Sequence, residues 1–492
     1  MIDGYGRNID YIRISVTDRC NLRCVYCMPE EGVAAADRKE ILSYDEIREL
    51  AEIFADLGIR KIKITGGEPL VRRELAKLIR LLKETPGIQK VTLTTNGVLL
   101  AEQMKELAGA GIDGINLSLD TLNPEAFASV ARRQELPRVL EGFRAALRHP
   151  KIPLKINCVP MKVPGQQVLE LAELAKKYPV HVRYIEMMPV GLGRDFEAVS
   201  EQSLLSALEE RYGFGELCRE KLGNGPAHYF VFPGFRGKIG FISAISHKFC
   251  GECNRVRLTS RGFLKTCLQY ETGVDLGKLL RSGSGREELK KAAEEAIQKK
   301  PAEHQFGAGR IEHREDKIMS QIGGRGRERR VAVIVSSDSG YRGEREDLSG
   351  PQICRIVEKN GYRVVSSVIL PDDREKLEAE MCRIADGNLA DLILTTGGTG
   401  FSPRDWTPEA TLAVSERAVP GIPEAMRAYS MQFTRRSMLS RSAAGIRKKT
   451  LIINLPGSPK AVRECLEYII GELAHGLDIL TGEASNCAGG QK

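Results

Sequence analysis

Six cysteines fall into two tight groups, Cys20-x3-Cys24-x2-Cys27 and Cys250-x2-Cys253-x13-Cys267. Cubane iron–sulfur clusters are held by cysteine thiolates, and full ligation takes four. Each group supplies three. If no distant cysteine completes the first set, one iron keeps an open position, as catalytic metal sites do for a substrate or cofactor. A structural zinc site is the alternative for that spacing, although zinc favours four closed ligands and cysteines in pairs. The other six of the twelve cysteines (Cys158, Cys218, Cys354, Cys382, Cys465, Cys487) are isolated, as small buried hydrophobes are. In a reducing compartment grouped cysteines indicate metal rather than disulfides.

Two further patterns suit phosphate. Arg255 and Arg257 alternate along a predicted strand between Cys253 and Cys267, so both project to one face. An isolated arginine pair is ordinarily surface charge, but beside clustered cysteines two guanidiniums suit bidentate phosphate recognition. Later in the chain, TTGGTGFSPRDWTPEA (395–410) follows a predicted strand. Its glycines can present backbone N–H groups to phosphate, and Asp405 can place a divalent cation beside it. The Gly-Lys-Ser/Thr ending of a Walker A loop is missing.

Strands and amphipathic helices alternate to position these residues. Strands are predicted at 11–15, 61–65, 91–95, 114–119, 154–159 and 182–186. A helix is predicted over 43–58, with Ser43 as N-cap and Glu46 in capping-box position. Six such units predict a parallel sheet, open or curved into a partial barrel. The distinctive residues follow the strand ends: the first cysteines, then Gly66-Gly67-Glu68-Pro69, Asn96-Gly97, Ser118 and Asp120, and Glu186 through Met188, with Asn157 inside the fifth strand. Parallel α/β barrels build their sites on that face. IGGRGRERR (322–330) marks a domain boundary, and VAVIVSS (331–337) opens a smaller doubly wound α/β domain. The expected division is therefore 1–324, a linker at 325–330, and 331–492.

Hydrophobic residues make up 42% and charged residues 28% of the 492, the balance of an ordinary globular protein. No stretch approaches the ~18 apolar residues that span a bilayer, and the N-terminus has no secretory pattern, so a cytoplasmic protein without a membrane partner is expected. The net charge of +8 is scattered, which favours a small phosphorylated substrate over nucleic acid.

DRCNLRCVYCMP (18–29) resembles the radical SAM superfamily signature, and Gly66-Gly67-Glu68-Pro69 resembles the segment there that accommodates the methionine end of S-adenosylmethionine. The resemblance implies an incomplete (βα)6 barrel. It also implies that a reduced cluster at Cys20, Cys24 and Cys27 passes an electron into S-adenosylmethionine, leaving a 5′-deoxyadenosyl radical. FCGECNRVRLTSRGFLKTCL (249–268), KKPAEHQF (299–306) and SQIGG (320–324) are similar to the GTP 3′,8-cyclase family, from about residue 5 to 324. That family places a second [4Fe-4S] cluster, here Cys250, Cys253 and Cys267, in a C-terminal extension, with guanine on its open iron. Carried over, Arg13, Lys63, Thr94, Lys155, Arg255 and Arg257 fall on GTP-contacting positions, with Arg183 as a further cation. Tyr26, Gly67, Ser118 and Met188 fall on S-adenosylmethionine-contacting positions. Lys63 stands where many relatives have Arg, which keeps the charge and loses the fork. The family's double glycine ends its chain, whereas Gly323-Gly324 is internal here. These glycines act through backbone flexibility, or that feature is impaired, or they are linker.

The loop at 395–410, with LPDD (370–373), LSR (439–441) and INLPGSP (453–459), resembles the molybdopterin adenylyltransferase family over nearly all of 331–482. That implies transfer of AMP from ATP to molybdopterin with Mg²⁺, with Asp372 and Asp405 at the essential acidic positions. Gly397, Gly398, Thr399, Gly400, Gly457 and Ser458 would form the pterin and nucleotide loop. Taken as isolated aspartates, Asp372 and Asp405 read more readily as helix caps or turn residues. The domain also resembles gephyrin-type pterin-binding modules, so a non-catalytic scaffold is the competing reading. An electron donor of flavodoxin or ferredoxin type and a homo-oligomeric assembly are implied as well.

Overall fold

A computed structural model of the chain describes residues 1–30, 32, 37–220, 222–270, 272–306, 329–360 and 362–481. The chain divides into two compact units, Met1–Gly326 and Arg327–Lys492. Gly323-Gly324, the SQIGG match, linker residues 325–328 and Cys487 lie outside the described residues. Arg330, assigned to the linker from sequence, instead opens a strand, because its guanidinium is tied to Asp391 and to the Asn388 carbonyl. Among the described residues no helix is long and apolar enough to cross a membrane.

In the first unit the six predicted strands form as β1 (Tyr11–Ser15), β2 (Lys61–Thr65), β3 (Lys90–Thr95), β4 (Ile115–Ser118), β5 (Leu154–Cys158) and β6 (His181–Ile185), all parallel. Helices fill the crossovers. Tyr44–Asp56 starts at the predicted capping box, in which Ser43 and Glu46 satisfy each other's backbone N–H groups, and buries Ile47, Leu50, Ile53 and Phe54.

The sheet is wider than six strands. Beyond β6 come β9 (Ile239–Ile242), β8 (His228–Val231) and β7 (Glu216–Cys218); beyond β1 come β10 (Arg255–Leu258), β11 (Phe263–Lys265) and β12 (Gly273–Asp275). β9 and β10 join in parallel and each leads an antiparallel flap, so both edges of the six-stranded core find partners for their backbone groups. The sheet also curls. β2 and β6 are four strand spacings apart, about 19 Å on a flat sheet, yet the charges of Lys63 and Arg183 act on each other. The inward face is therefore the concave wall of a partial barrel.

In the second unit the order is β14 (Arg363–Leu370), β13 (Arg330–Ser336), β15 (Leu392–Thr396), β18 (Thr450–Leu455), β17 (Ala444–Arg447) and β16 (Arg417–Ala418). The first four are parallel and the last two antiparallel. Along β13, Val331, Val333 and Val335 pack with the helices Ser349–Lys359 and Pro459–Thr481, while Ala332 and Ile334 pack with Arg374–Asp386 and Thr407–Val414. Both faces of the sheet are covered, as near-continuous apolar strands require. From β13 the chain turns first to β14 on one side and then to β15 on the other. That reversal is the switch point at which open α/β sheets bind ligands.

Candidate active sites

The first cysteine loop leaves the end of β1 and is braced by the glycines that follow β2. The N–H of Gly67 donates to the Thr17 carbonyl (2.8 Å) and that of Glu68 to the Arg19 carbonyl (2.7 Å). A Cβ on Gly67 would stand 2.4 Å from the Arg19 oxygen, so glycine is needed for close approach. Neither Gly66 nor Gly67 has a positive φ among the described backbone, which removes a left-handed turn as the reason for the motif.

Glu68 is 1% exposed and accepts from Leu70, from the Thr95 hydroxyl and from the Asn96 N–H; burial pushes its carboxyl up to about 7. The Asn96 amide faces Asn21 and the Cys20 sulfur, which also takes the Leu22 N–H at 3.4 Å. Tyr26 donates to Asp120 (2.8 Å), which also accepts from Val159. Met188 turns the chain after β6, its carbonyl accepting from Val190, and Ser118 closes β4.

Three free thiols thus face one another. Burial pushes the Cys27 thiol up to about 12, with Cys20 and Asp120 adding to the effect, and it raises Cys24 as well, with Asp120, Cys27 and Cys20 adding. Each thiolate formed here would disfavour the next, and a metal that takes the place of the protons removes that conflict, so the donor set fits a cluster. Among the described residues no three His, Cys, Asp or Glu side chains gather closely enough to chelate a single ion. A cubane asks for a wider ring of thiolates.

Below this loop the barrel wall carries a set of cations. Arg257, Arg13 and Lys63 form one rung across β10, β1 and β2, while Lys155 on β5 and Arg183 on β6 face them. Arg183, 8% exposed, donates to the side-chain oxygens of Asn116 (2.7 Å) and Asn157 (2.6 Å), neutral acceptors that position the charge without cancelling it. Gly240 makes room, since a Cβ there would meet the Tyr229 ring and the Arg183 stem. Lys155 donates to the Leu222 carbonyl, and Arg255 lies over the Phe249 ring. Thr94 accepts from Asn116.

Among the described residues no carboxylate forms an ion pair with Arg13, Lys63, Lys155, Arg183, Arg255 or Arg257. Burial depresses Lys63 well below the usual lysine range, with Arg183, Arg13, Lys155 and Arg255 adding, and lowers Lys155 to about 8. Burial lowers Arg257 too, with Arg13 and Arg255 adding. The Nε–H groups of Arg13, Arg183 and Arg255 are buried without a partner. Uncompensated buried cations are costly, and a polyanion bound among them relieves the cost.

The second cysteine group sits at the same wall. Cys250 and Cys253 bound a short turn before β10, and Cys267 follows β11. Cys267 lies within electrostatic reach of Arg257, and Cys250 and Cys267 both act on Tyr270. Burial pushes the Cys253 thiol up, but Lys300 and Arg255 outweigh it and hold the thiol below its usual range.

In the second unit the predicted loop lies at the switch point. Gly397 has φ +93° and a Cβ on it would stand 2.2 Å from the Ser336 oxygen. Gly397→Ala is expected to destabilise the chain by about 2 kcal/mol or more; an unchanged calorimetric melt would refute this. Asp373, not Asp372, caps the helix Arg374–Asp386. Asp372 instead accepts from the Ser336 hydroxyl (2.6 Å) and the Asp338 N–H (3.1 Å). Asp405 accepts from the Ser402 N–H (3.0 Å) and lines a pocket of about 430 Å³ with Phe401, Ser402, Pro403, Trp406 and Arg441. Gly457 accepts from Ser349, and Ser458 caps the last helix through Ala461. Thr399 is buried, its carbonyl accepting from the Arg441 N–H.

Sequence reasoning missed two residues here. Arg441 clamps the loop by donating to the Gly400 carbonyl (2.6 Å), the Asp405 carbonyl and Glu409. Its signal was the LSR segment. Arg404, inside the 395–410 segment but not singled out there, pairs with Asp338.

Three family descriptions match in tandem: "Radical SAM superfamily" over 14–176, "Molybdenum Cofactor Synthesis C" over 180–306 and "Probable molybdopterin binding domain" over 332–475. The chain is 43% identical over 328 residues to the GTP 3′,8-cyclase of Desulforamulus reducens and 46% identical over 330 residues to that of Syntrophomonas wolfei. Each match covers 66% of this chain and 100% of the relative. Among solved structures, the molybdopterin biosynthesis enzyme MoaB of Thermus thermophilus is 43% identical, over 31% of this chain and 96% of that one, with a TM-score of 0.30.

Proposed function

We propose, because this chain belongs to the GTP 3′,8-cyclase family through its first two-thirds, that the barrel cyclises GTP to (8S)-3′,8-cyclo-7,8-dihydroguanosine 5′-triphosphate. The observation that carries this is the set of six cations, without carboxylate partners among the described residues, on the wall that also bears both cysteine groups. Cys20, Cys24 and Cys27 would hold the first [4Fe-4S] cluster, with Tyr26, Gly67, Ser118 and Met188 around S-adenosylmethionine. Cys250, Cys253 and Cys267 would hold the second, beside guanine. Together the first cluster and S-adenosylmethionine supply the radical that takes hydrogen from the ribose.

The chain's own part is positioning. Arg13, Lys63, Lys155, Arg183, Arg255 and Arg257, with Thr94, grip the triphosphate, and the neutral Asn116 and Asn157 aim Arg183 at it. Protein purified and assayed without oxygen, given GTP, S-adenosylmethionine and a reductant of flavodoxin or ferredoxin type, is expected to form the cyclic nucleotide. Cleavage of S-adenosylmethionine with GTP left intact would refute the reading.

For the second unit the reading is adenylylation of molybdopterin by ATP with Mg²⁺. Its support is the position of Asp372 and Asp405 at the sheet's switch point, beside the backbone N–H groups of Gly397–Gly400. Mg²⁺ commonly takes one or two carboxylates and completes its shell with substrate phosphates and water. A pterin-binding scaffold is the second reading, favoured by the protein hydrogen bonds that already engage both carboxylates. Asp405→Asn keeps an oxygen for the Ser402 N–H and removes the charge. Pyrophosphate release from ATP in the presence of molybdopterin is expected to fall about a hundredfold; unchanged release by an active chain would show that the carboxylate is dispensable.

A further inference from the structure

Lysine is almost never fully buried unless paired. Lys300 is 3% exposed, and among the described residues no carboxylate forms an ion pair with it. Its ammonium donates to the Thr266 carbonyl at 2.5 Å, next to Cys267, and lies against the Cys253 thiol. Its backbone is held from the other side by Arg7, itself 6% exposed. The Arg7 Nε donates to Asp3 (2.7 Å), Nη1 to the carbonyls of Cys250 (3.0 Å) and Ala302 (2.7 Å), and Nη2 to those of Pro301 (2.7 Å) and Lys300 (3.4 Å).

One buried guanidinium therefore ties the N-terminal segment, the Cys250 turn and residues 300–302 together. One buried ammonium ties the Cys253 and Cys267 segments together. The donor set suits an anionic occupant, since three thiolates around a cubane leave net negative charge beside the Lys300 ammonium.

We infer that Lys300, seated by the carbonyl net of Arg7, is a positioning residue that gathers the second cysteine triad and supplies the counter-charge that raises the reduction potential of its cluster. The inference rests on the reading of Cys250, Cys253 and Cys267 as cluster ligands. A fixed positive charge favours the more negative, reduced state of a cluster, so its removal makes reduction harder.

The test uses the full chain carrying Cys24→Ala and Cys27→Ala, so that the second cluster alone is observed. Its midpoint potential is followed by electron paramagnetic resonance in a redox titration, with iron counted on the same samples. Lys300→Met is expected to shift the midpoint to more negative potential with iron retained, and Lys300→Arg to keep it near that of the Lys300 chain. An unchanged midpoint in Lys300→Met overturns the inference. If Lys300→Met loses its iron, restoration by Lys300→Arg supports the counter-charge, and failure of Lys300→Arg overturns it. Absence of any cluster in the chain with Lys300 intact would instead sink the ligand assignment itself, and the inference with it.

Discussion

Cys267→Ser protein is expected to form no cyclic product from GTP and to carry about four iron atoms where the native chain carries about eight, two cubanes' worth. The two cysteine groups hang on different parts of the sheet, the first beyond β1 and the second around β10 and β11. Loss of one thiolate in the second group therefore leaves the brace of the first intact, from Gly67 and Glu68 onto Thr17 and Arg19. Some cleavage of S-adenosylmethionine should persist, because the radical-generating residues are untouched. The substrate, in contrast, loses the group beside which the base is to be held. A misplaced reacting atom costs orders of magnitude in rate even with the radical source in place. Full iron content together with unaltered cyclisation would remove Cys267 from the ligand set.

The second large effect pairs a loss with a gain. Lys63→Met should weaken GTP binding by more than a hundredfold, the scale of losing one partner of a desolvated charge pair, and should raise the thermal midpoint of the ligand-free chain. Both follow from the same observation. The Lys63 ammonium is held among Arg13, Lys155, Arg183 and Arg255, and no described carboxylate forms an ion pair with it, so an apolar side chain of similar length relieves repulsion and desolvation together. A lower midpoint with unchanged affinity would contradict the charge argument.

Lys155 gives the matching pH dependence. Burial, with help from Arg183 and Lys90, lowers it from 10.5 to about 8. Below pH 8 it is charged in both folded and unfolded chains and the penalty is fully present. Between about 8 and 10.5 the folded chain binds fewer protons than the unfolded one, so stability from this group rises with pH. A triphosphate reverses the preference. GTP binding near pH 8 is therefore expected to take up protons, measurable by calorimetry in two buffers of different ionisation heat, and to weaken as pH rises further. Proton release on binding would contradict this.

How much could be read without coordinates differs from one feature to the next. The capping box at Ser43 and Glu46, the six strands of the barrel and the two cysteine groups depend on residues close in sequence, and they appear where periodicity and spacing put them. The LPDD segment shows where local reading stops. Two adjacent aspartates each suit a cap, and only the path of the backbone gives the cap to Asp373 and leaves Asp372 for Ser336 and Asp338. The flaps that complete the sheet beyond β1 and β6 were legible only as an extension, because short strands carry little periodic signal.

The residues that suggest the chemistry are legible in the sequence. Cysteine spacing, the glycine segment after β2 and the arginine pair before Cys267 are local patterns, and local patterns survive in a linear text. Tertiary structure decided which charges meet. Lys63 and Arg183 become neighbours only because the sheet curls, and Arg7 reaches carbonyls 243 and 295 residues away. A backbone carbonyl is the same at every residue, so nothing in the sequence marks those at 250 and 300–302 as the seat of a buried guanidinium.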